Sequence, residues 1–236
     1  MRIETHLHCR NGSGCAVGTP QAMLAAAARQ GIEAVCLTDH NSLASWDSLG
    51  PGDVPAGLVV VPGVECTVSD TTGSDGDILV VADSPEVLRA LDTGGWPVPS
   101  VGHLAAALAP FPRSRWFASW AHPMGHDTPC GLDEEALAIL RFVDAVEGFN
   151  GNHRDMAALS PHIFVVADQM GLRRTAGSDA HAVRDVGRAV TVAEGTASDA
   201  AGVVTLLRSA ARFGPETRPA AWEEPDWSPD PRIRFT

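Results

Sequence analysis

Five short apolar runs in this chain each end in imidazole or carboxylate side chains: Thr5-His6-Leu7-His8, Thr38-Asp39-His40, Gly63-Val64-Glu65, Ala121-His122-Pro123 and Ser178-Asp179-Ala180-His181. Each run reads as a buried strand. Strands so far apart in the chain converge only if they share one sheet or barrel. If they do, His6, His8, His40, His122 and His181 meet Glu65 and Asp179 at one rim. Such a cluster is hard to explain without metal ions.

The rest of the chain alternates with these runs. Strands are expected over 2–6, 34–38, 58–65 with a break at Pro62-Gly63, 77–82, 116–121, 144–149, 174–176 and 189–193. Helices are expected over 20–29, 84–91, 100–109, 132–141, 154–170 and 199–213. Thr19 caps the first of them, and Pro20 takes its first helical position. Pro161 interrupts or restarts the fifth. The alternation indicates a mainly parallel α/β sheet, open or closed into a barrel. Both forms carry function at the C-terminal ends of their strands. A chain of 236 residues can bury one good core. No repeat or linker divides it, so residues 1–214 read as a single domain. Pro and acidic residues dominate 215–236, a tail that Trp222 and Trp227 are placed to pin.

Composition excludes several functions. The formal net charge of −12 repels a phosphate backbone, so duplex nucleic acid is not an expected partner. All 17 basic residues are Arg, and the chain has no Lys and no Tyr. Schiff-base, P-loop and carboxylated-lysine chemistry are thereby ruled out. No apolar run is long enough to span a bilayer. The chain opens directly into a strand, without a signal-peptide pattern. Its 5 Cys form no CxxC pair; an odd count without export signals points to reduced thiols and a cytoplasmic location. Cys36 and Cys66 lie in apolar strands and read as core. Cys9 and Cys15 flank the first site segment, where contact with metal is the lesser alternative.

On a strand, residues two apart point the same way. His6 and His8 thus present two imidazoles to one side while Leu7 faces the other. Asp179 and His181 repeat that geometry late in the chain. Glu65 can bridge two ions with its two oxygens. Ions about 3.5–4 Å apart clamp the entering and leaving oxygens of a displacement at phosphorus, and they lower the pKa of a bound water to about 7. Each segment alone has a plainer explanation: Asp39 as a helix cap, Glu65 as a solvated acid, His122 as part of a rigid turn before Pro123. Their joint position at the ends of β-like runs favours metal.

The motifs His6-Leu7-His8, Thr38-Asp39-His40-Asn41, Pro62-Gly63-Val64-Glu65, Ala121-His122-Pro123, Val146-Glu147-Gly148-Phe149-Asn150-Gly151 and Gly177-Ser178-Asp179-Ala180-His181 follow one another from residue 3 to about residue 192. With them the chain resembles the PHP family, named for its polymerase and histidinol phosphatase members. The resemblance implies a distorted seven-stranded (β/α) barrel, two or three divalent ions (Mn, Zn or Fe) at the C-terminal ends of the strands, and phosphoester hydrolysis. It further implies that His6, His8, Glu65 and Asp179 hold one ion, that Glu65 bridges to a second taken by His122, and that His40 and His181 hold a third. Asp39 is then a group that orients an imidazole. Two positions depart from the family. Where it often has an Asp or His shortly after the HxH, this chain has only Cys9-Arg10-Asn11-Gly12-Ser13-Gly14-Cys15. Where it often has a His opening the strand after the Glu motif, this chain has Asp77, an acceptable replacement at the second ion.

The expected reaction is hydrolysis of a small phosphomonoester by hydroxide attack on phosphorus. His126 and His181 are candidates for the acid that protonates the leaving group. Arg154, Arg10 and Arg184 are candidates for binding the phosphate, because a guanidinium fork donates two parallel bonds. Arg113 and Arg115 are expected in a lid before the fifth strand. Competing readings are a phosphodiesterase or exonuclease on single-stranded nucleic acid or dinucleotides, an amidohydrolase-like C–N hydrolase, and a metal-binding accessory protein without turnover. The oligomeric state is left open.

Overall fold

The structure, a computed structural model, describes residues 1–69, 75–91, 98, 100–124, 127–128, 131–153, 155–210 and 213–217. Strand β1 (Arg2–Glu4) leads through a long loop to α1 (Pro20–Arg29), then to β2 (Ala34–Leu37), a short α2 (Ala44–Asp47) and β3 (Val59–Ser69). Strand β4 (Asp75–Ala82), α3 (Pro85–Arg89), α4 (Val101–Leu108) and β5 (Trp116–Ala121) follow. A two-residue pair, β6 (Asp127–Thr128) and β7 (Gly131–Leu132), precedes α5 (Glu134–Phe142) and β8 (Ala145–Asn150). Then come α6 (Met156–Leu159), α7 (Pro161–Gln169), β9 (Arg173–Gly177), β10 (Ala189–Ala193), α8 (Ala200–Ser209) and β11 (Phe213–Thr217).

Local chemistry sets the helix starts. Thr19 accepts the Ala22 N–H at 3.2 Å, Asp133 that of Ala136 at 2.7 Å and Asp199 that of Gly202 at 2.8 Å. Pro161 ends α6 and opens α7, as its missing N–H requires. The expected break at Pro62-Gly63 is absent: β3 runs straight through. Pro62 is the last residue paired with β2, and Gly63 the first paired with β4.

Nine strands form one sheet among the described residues, in the order β11-β10-β1-β2-β3-β4-β5-β8-β9. The sheet is not mainly parallel, contrary to expectation. The pairs β1–β2, β2–β3, β5–β8 and β8–β9 are parallel, but β3–β4, β4–β5, β1–β10 and β10–β11 are antiparallel. The connection from Ser69 to Asp75 is too short for a crossover, so β4 must double back on β3. The sheet nearly closes. Past β1 and β9 the chain ends meet, with Asp179 N donating to His6 O at 2.9 Å and His8 N to Ala180 O at 3.0 Å. Below them, buried Thr191 of β10 joins β9 by its side chain: Oγ1 accepts from Ala176 N at 2.9 Å and donates to Ala176 O at 3.0 Å. The barrel expected from the PHP resemblance is therefore present, with the edge strand β11 added. Residues 215–217 belong to that strand, and 218–236 lie outside the described residues.

Alternation along the strands sorts the barrel into layers. Val64, Cys66 and Val68 of β3, Ile78, Val80 and Ala82 of β4, and Trp116, Ala118 and Trp120 of β5 face outward into one core with α3, α4, α5 and α7. A second core sets α1 against Leu7, Val35 and Leu37. The inward residues Ile3, Val61, Val81, Phe117 and Ala145 instead meet Val203, Val204 and Leu207, so α8 plugs the bottom of the barrel. Two residues further along the same inward rows stand Gly63, Leu79, Ser119 and Glu147; two beyond that, Glu65 of β3 and Asp77 of β4 reach the opposite rim. Arg113 and Arg115 precede β5 and belong to the bottom, pairing with Asp144 at 3.2 Å and Asp83 at 2.9 Å, not to a lid over the rim.

Thr191→Val keeps the shape of the seam but leaves the buried Ala176 N–H without an acceptor. A loss of about 1–3 kcal/mol is expected, read as a lower urea midpoint with unchanged slope.

Candidate metal centre

The rim at the upper end of the barrel collects the predicted residues. His6 Nε2 lies 3.0 Å from His8 Nε2, 3.2 Å from Glu65 Oε1 and 3.4 Å from Asp179 Oδ1. His8 Nε2 lies 3.3 Å from Glu65 Oε2 and 3.2 Å from Asp179 Oδ1. A cation with ligands at about 2.0–2.2 Å places neighbouring donors about 3.0–3.5 Å apart, which is the spacing of this quartet. Glu65 also reaches His122 Nε2 at 3.0 Å and His40 Nδ1 at 2.8 Å. The groups Glu65–Asp77–His122 and His8–His40–His181 each bring three donor atoms within 4.8 Å of one another. Asp77 comes from the start of a strand, not its end, and reaches the rim because β4 runs antiparallel to its neighbours.

Hydrogen bonds fix which nitrogens point inward. Ser13 donates its hydroxyl to Asp39 Oδ1 at 2.8 Å, so its oxygen accepts from His8 Nδ1 at 3.2 Å and from the His40 N–H at 3.0 Å. His6 Nδ1 faces Glu147 Oε1 at 3.1 Å, and His181 Nδ1 donates to Asp179 O at 2.9 Å. In each ring the Nε2 lone pair is left for the centre, the arrangement that ligating imidazoles need. Glu147 Oε2 meanwhile accepts from the His122 N–H at 3.0 Å and from Asn150 Nδ2 at 2.8 Å. Asn152 Nδ2 donates to Asp179 O. His122 (φ 26°) and Asp179 (φ 49°) hold left-handed backbone, a sparsely populated conformation that the surrounding bonds enforce.

The cluster is built to surround positive charge. Glu65 is fully buried, and its Oε2, although 2.8 Å from His40 Nδ1, makes no hydrogen bond of good geometry. A carboxylate oxygen so poorly satisfied among imidazole nitrogens fits a divalent ion. Burial would raise the Glu65 and Asp179 carboxyls, yet the imidazoles, His6 above all, hold both well below the usual range. Burial opposes a charged His6, but Asp179, Glu65 and Glu147 overcome it and lift the ring well above its ordinary value. The same contest puts His122 at about 9 through Glu65, and His40 at about 10 through Cys15 and Glu65. His8 goes the other way, to about 4, because burial dominates. Asp77 is raised by burial and by the charge of Glu65.

Not every predicted residue joins this centre. Asp39 touches no imidazole as an orienting partner; it acts on His8 through Ser13 and also accepts the Cys9 N–H at 2.6 Å. Arg10 and Arg184 are exposed, and Arg184 lies 3.7 Å from Asp185. Neither lines the cavity beside the centre, which is bordered by Gly76, Asp77, Trp120, Ala121, His122, Met124 and His153. His126 and Arg154 lie outside the described residues. The orienting roles of Ser13, Glu147 and Asn150 and the cavity position of His153 were missed in sequence. Only the motif containing Glu147 and Asn150 offered a signal for them.

Among the described residues no helix is long and apolar enough to cross a membrane. A family model described as PHP-associated matches residues 164–211. PsfC of Pseudomonas syringae PB-5123 shares the fold with a TM-score of 0.67 at 22% identity, over 92% of this chain and 91% of PsfC. A two-domain protein of Bacteroides vulgatus, containing a predicted PHP-like metal-dependent phosphoesterase, gives 0.62 at 15% identity over 92% of this chain and 64% of its own. The lesion-specific endonuclease PfuEndoQ of Pyrococcus furiosus gives 0.60 at 14% identity over 91% of this chain and 57% of its own. No curated protein matches the sequence. The PHP resemblance and its barrel both hold.

With His122 at about 9 and His40 at about 10, both rings keep their protons at pH 7 when no ion is bound. Binding must expel those protons, so affinity for Zn²⁺ should climb with pH until about 9–10, and calorimetry in two buffers of different ionisation heat should show proton release. The raised pKa values also favour the metal-free fold below the ordinary histidine range, and that contribution is lost as pH rises through 9 and then 10. Thermal melts of metal-free protein should therefore fall across that window. Glu147→Gln should weaken Zn²⁺ binding about 10–100-fold in a chelator competition, since Gln cannot satisfy three donors at once.

Proposed function

We propose that this chain, of PHP-type fold, is a metal-dependent hydrolase of small phosphomonoesters. The observation that carries this reading is Glu65: one fully buried carboxylate shared by His6, His8, His40 and His122. A carboxylate so placed is suited to join adjacent ions. His6, His8, Glu65 and Asp179 would hold one, Glu65, Asp77 and His122 a second, and His40 and His181 a third. Mn, Zn and Fe all suit this donor set. Divalent ions bound there would supply Lewis-acid polarisation of phosphoryl oxygens and a water acidified to about pKa 7.

The chain's own residues supply the rest. Glu147 and the Asp39–Ser13 relay hold His6 and His8 in one tautomer, so the centre need not reorganise during the reaction. The cavity beside Asp77 and His122 has a volume of about 310 Å³, at the small end for ligand sites, which favours a compact substrate. Trp120 and Met124 offer it an apolar wall. His153 on the same wall has its pKa lowered by burial and by the neighbouring His122, so at neutral pH it is an uncharged ring able to pass a proton. His126 is the other candidate for protonating the leaving oxygen; His181 could take that role only without the third ion, because its Nδ1 bonds Asp179 O and its Nε2 would face the ion. Arg154 is proposed to meet the anionic part of the substrate as it enters. The net charge of −12 argues against duplex nucleic acid, and the free thiols Cys9, Cys15, Cys36 and Cys66 suit a reducing cytoplasm.

Protein loaded with Mn²⁺ or Zn²⁺ should release p-nitrophenol from p-nitrophenyl phosphate, with far less from the bis-ester. Hydrolysis of the diester alone would replace the phosphatase reading by a phosphodiesterase one. Metal content without turnover across sugar phosphates, nucleotides and histidinol phosphate would indicate an accessory role. Asp179→Ala should lose metal and reduce turnover at least about 1,000-fold while circular dichroism stays that of a folded chain.

A further inference from the structure

Resting on the metal-dependent reading, we propose that Glu4 is a positioning residue of the centre, setting the spacing between the His6–His8 pair and Asp179 without touching an ion. Its side chain is fully buried, and it belongs to none of the donor groups at the rim among the described residues. Its bonds come from three segments of the chain. Oε1 accepts the His6 N–H at 3.2 Å and the Ser178 N–H at 2.8 Å, and Oε2 accepts the Gly187 N–H at 3.2 Å. Strand β1 ends at Glu4, and its ladder is interrupted before the isolated bridge from Leu7 to Ala180. The His6 amide falls in that gap, where the Glu4 carboxylate stands in for a neighbouring strand's carbonyl.

Ser178 precedes Asp179, whose left-handed backbone (φ 49°) aims its carboxylate into the cluster. Glu4 Oε1 holds the amide before this residue, and His6 O holds the amide of Asp179 itself at 2.9 Å. The first strand thereby grips two successive amides of the turn. Gly177 permits the close approach, since a Cβ there would lie 3.0 Å from His6 N. The third bond orients the carboxylate. Gly187 (φ 73°) lies in the loop after His181, and Gln30 Nε2 holds the neighbouring Val186 O at 2.7 Å. With Oε2 tied to that loop, Oε1 cannot swing away from the two amides it shares. A carboxylate is costly to bury, and the seam beside it closes with a main-chain bond alone, His8 N to Ala180 O at 3.0 Å. What Glu4 adds is one acceptor atom common to a ligand, His6, and to the residue before another, Asp179. A shared atom fixes the distance between two segments, and Asp179 Oδ1 then stands 3.4 Å from His6 Nε2 and 3.2 Å from His8 Nε2.

The test compares Glu4→Gln with Thr191→Val, a variant of the same seam whose lost bonds lie outside the centre. Metal-free proteins are titrated with Co²⁺ against a chelator, visible spectra are recorded, and urea midpoints are measured alongside. A Gln side chain has one acceptor oxygen, so either Gly187 or the His6–Ser178 pair would face an NH₂ group. Glu4→Gln should weaken the tightest-bound Co²⁺ about 10–100-fold and change its d–d bands. Thr191→Val should keep the affinity and bands of wild type even where its urea midpoint falls as far. Should Glu4→Gln not fold, Glu4→Asp, which keeps the charge but is one methylene short of its amides, is held to the same outcome. Wild-type affinity or wild-type bands in the Glu4 variant, or an equal loss in Thr191→Val, overturns the proposal while leaving the metal-dependent reading intact. Failure of wild type to hold any Co²⁺ overturns both.

Discussion

The structure depends on one electrostatic requirement. Glu65, Asp179 and Glu147 lie within reach of His6 and are buried away from bulk solvent. The desolvation cost of several kcal/mol per carboxylate is met only if positive charge sits among them. Protons on His6, His40 and His122 can do this, and so can divalent ions. The centre is therefore a place where protons and metals compete for the same donors. Outside it, the barrel is arranged to keep those donors still. Asp39, Ser13, Glu147 and Asn150 hold the cluster's side chains from behind.

The barrel makes this possible by dividing its interior. Below, Val61, Val81, Phe117 and Ala145 meet the apolar face of α8, and this plug adds to the burial of the two outer cores that stabilises the fold. Above, the same inward rows end in ionisable groups. A two-residue step along a strand is all that separates Val61 from Gly63, and another separates Gly63 from Glu65. Gly63 leaves space at the crossing: a Cβ there would lie 2.9 Å from Thr38 Cγ2 and 3.0 Å from Leu37 O.

Much of this was legible in the sequence. The five apolar runs with polar ends became rim segments because each strand carries ligands at the rim or leads directly into them. Helix starts at Thr19-Pro20 and Pro161 were legible because their cause is local. The strand directions were less so. Alternation of strands and helices suggested parallel pairing, but the short link from Ser69 to Asp75 was the signal for a hairpin, and it also explains how Asp77 arrives at the rim from a strand's beginning. Residues that work through a partner were invisible: nothing local marks Ser13 as the link between Asp39 and His8, since that link exists only after two distant loops meet. Arg10 and Arg184 adjoin site segments in sequence, yet adjacency in the chain did not bring them to the cavity. β11 was hidden in a stretch whose Pro and acidic residues resemble a tail.

His122 and Asp179 carry a consequence for how such a centre can drift over evolutionary time. Each combines a donor role with backbone that most side chains resist, while Asn, Asp and His tolerate it far better. Glycine aside, the conformation thus admits a short vocabulary of residues, nearly all able to bind a cation or a proton. Replacements tolerated by the main chain would exchange one donor for another, altering ion preference more readily than erasing it. Geometry of the peptide and chemistry of the side chain screen for the same alphabet at both positions.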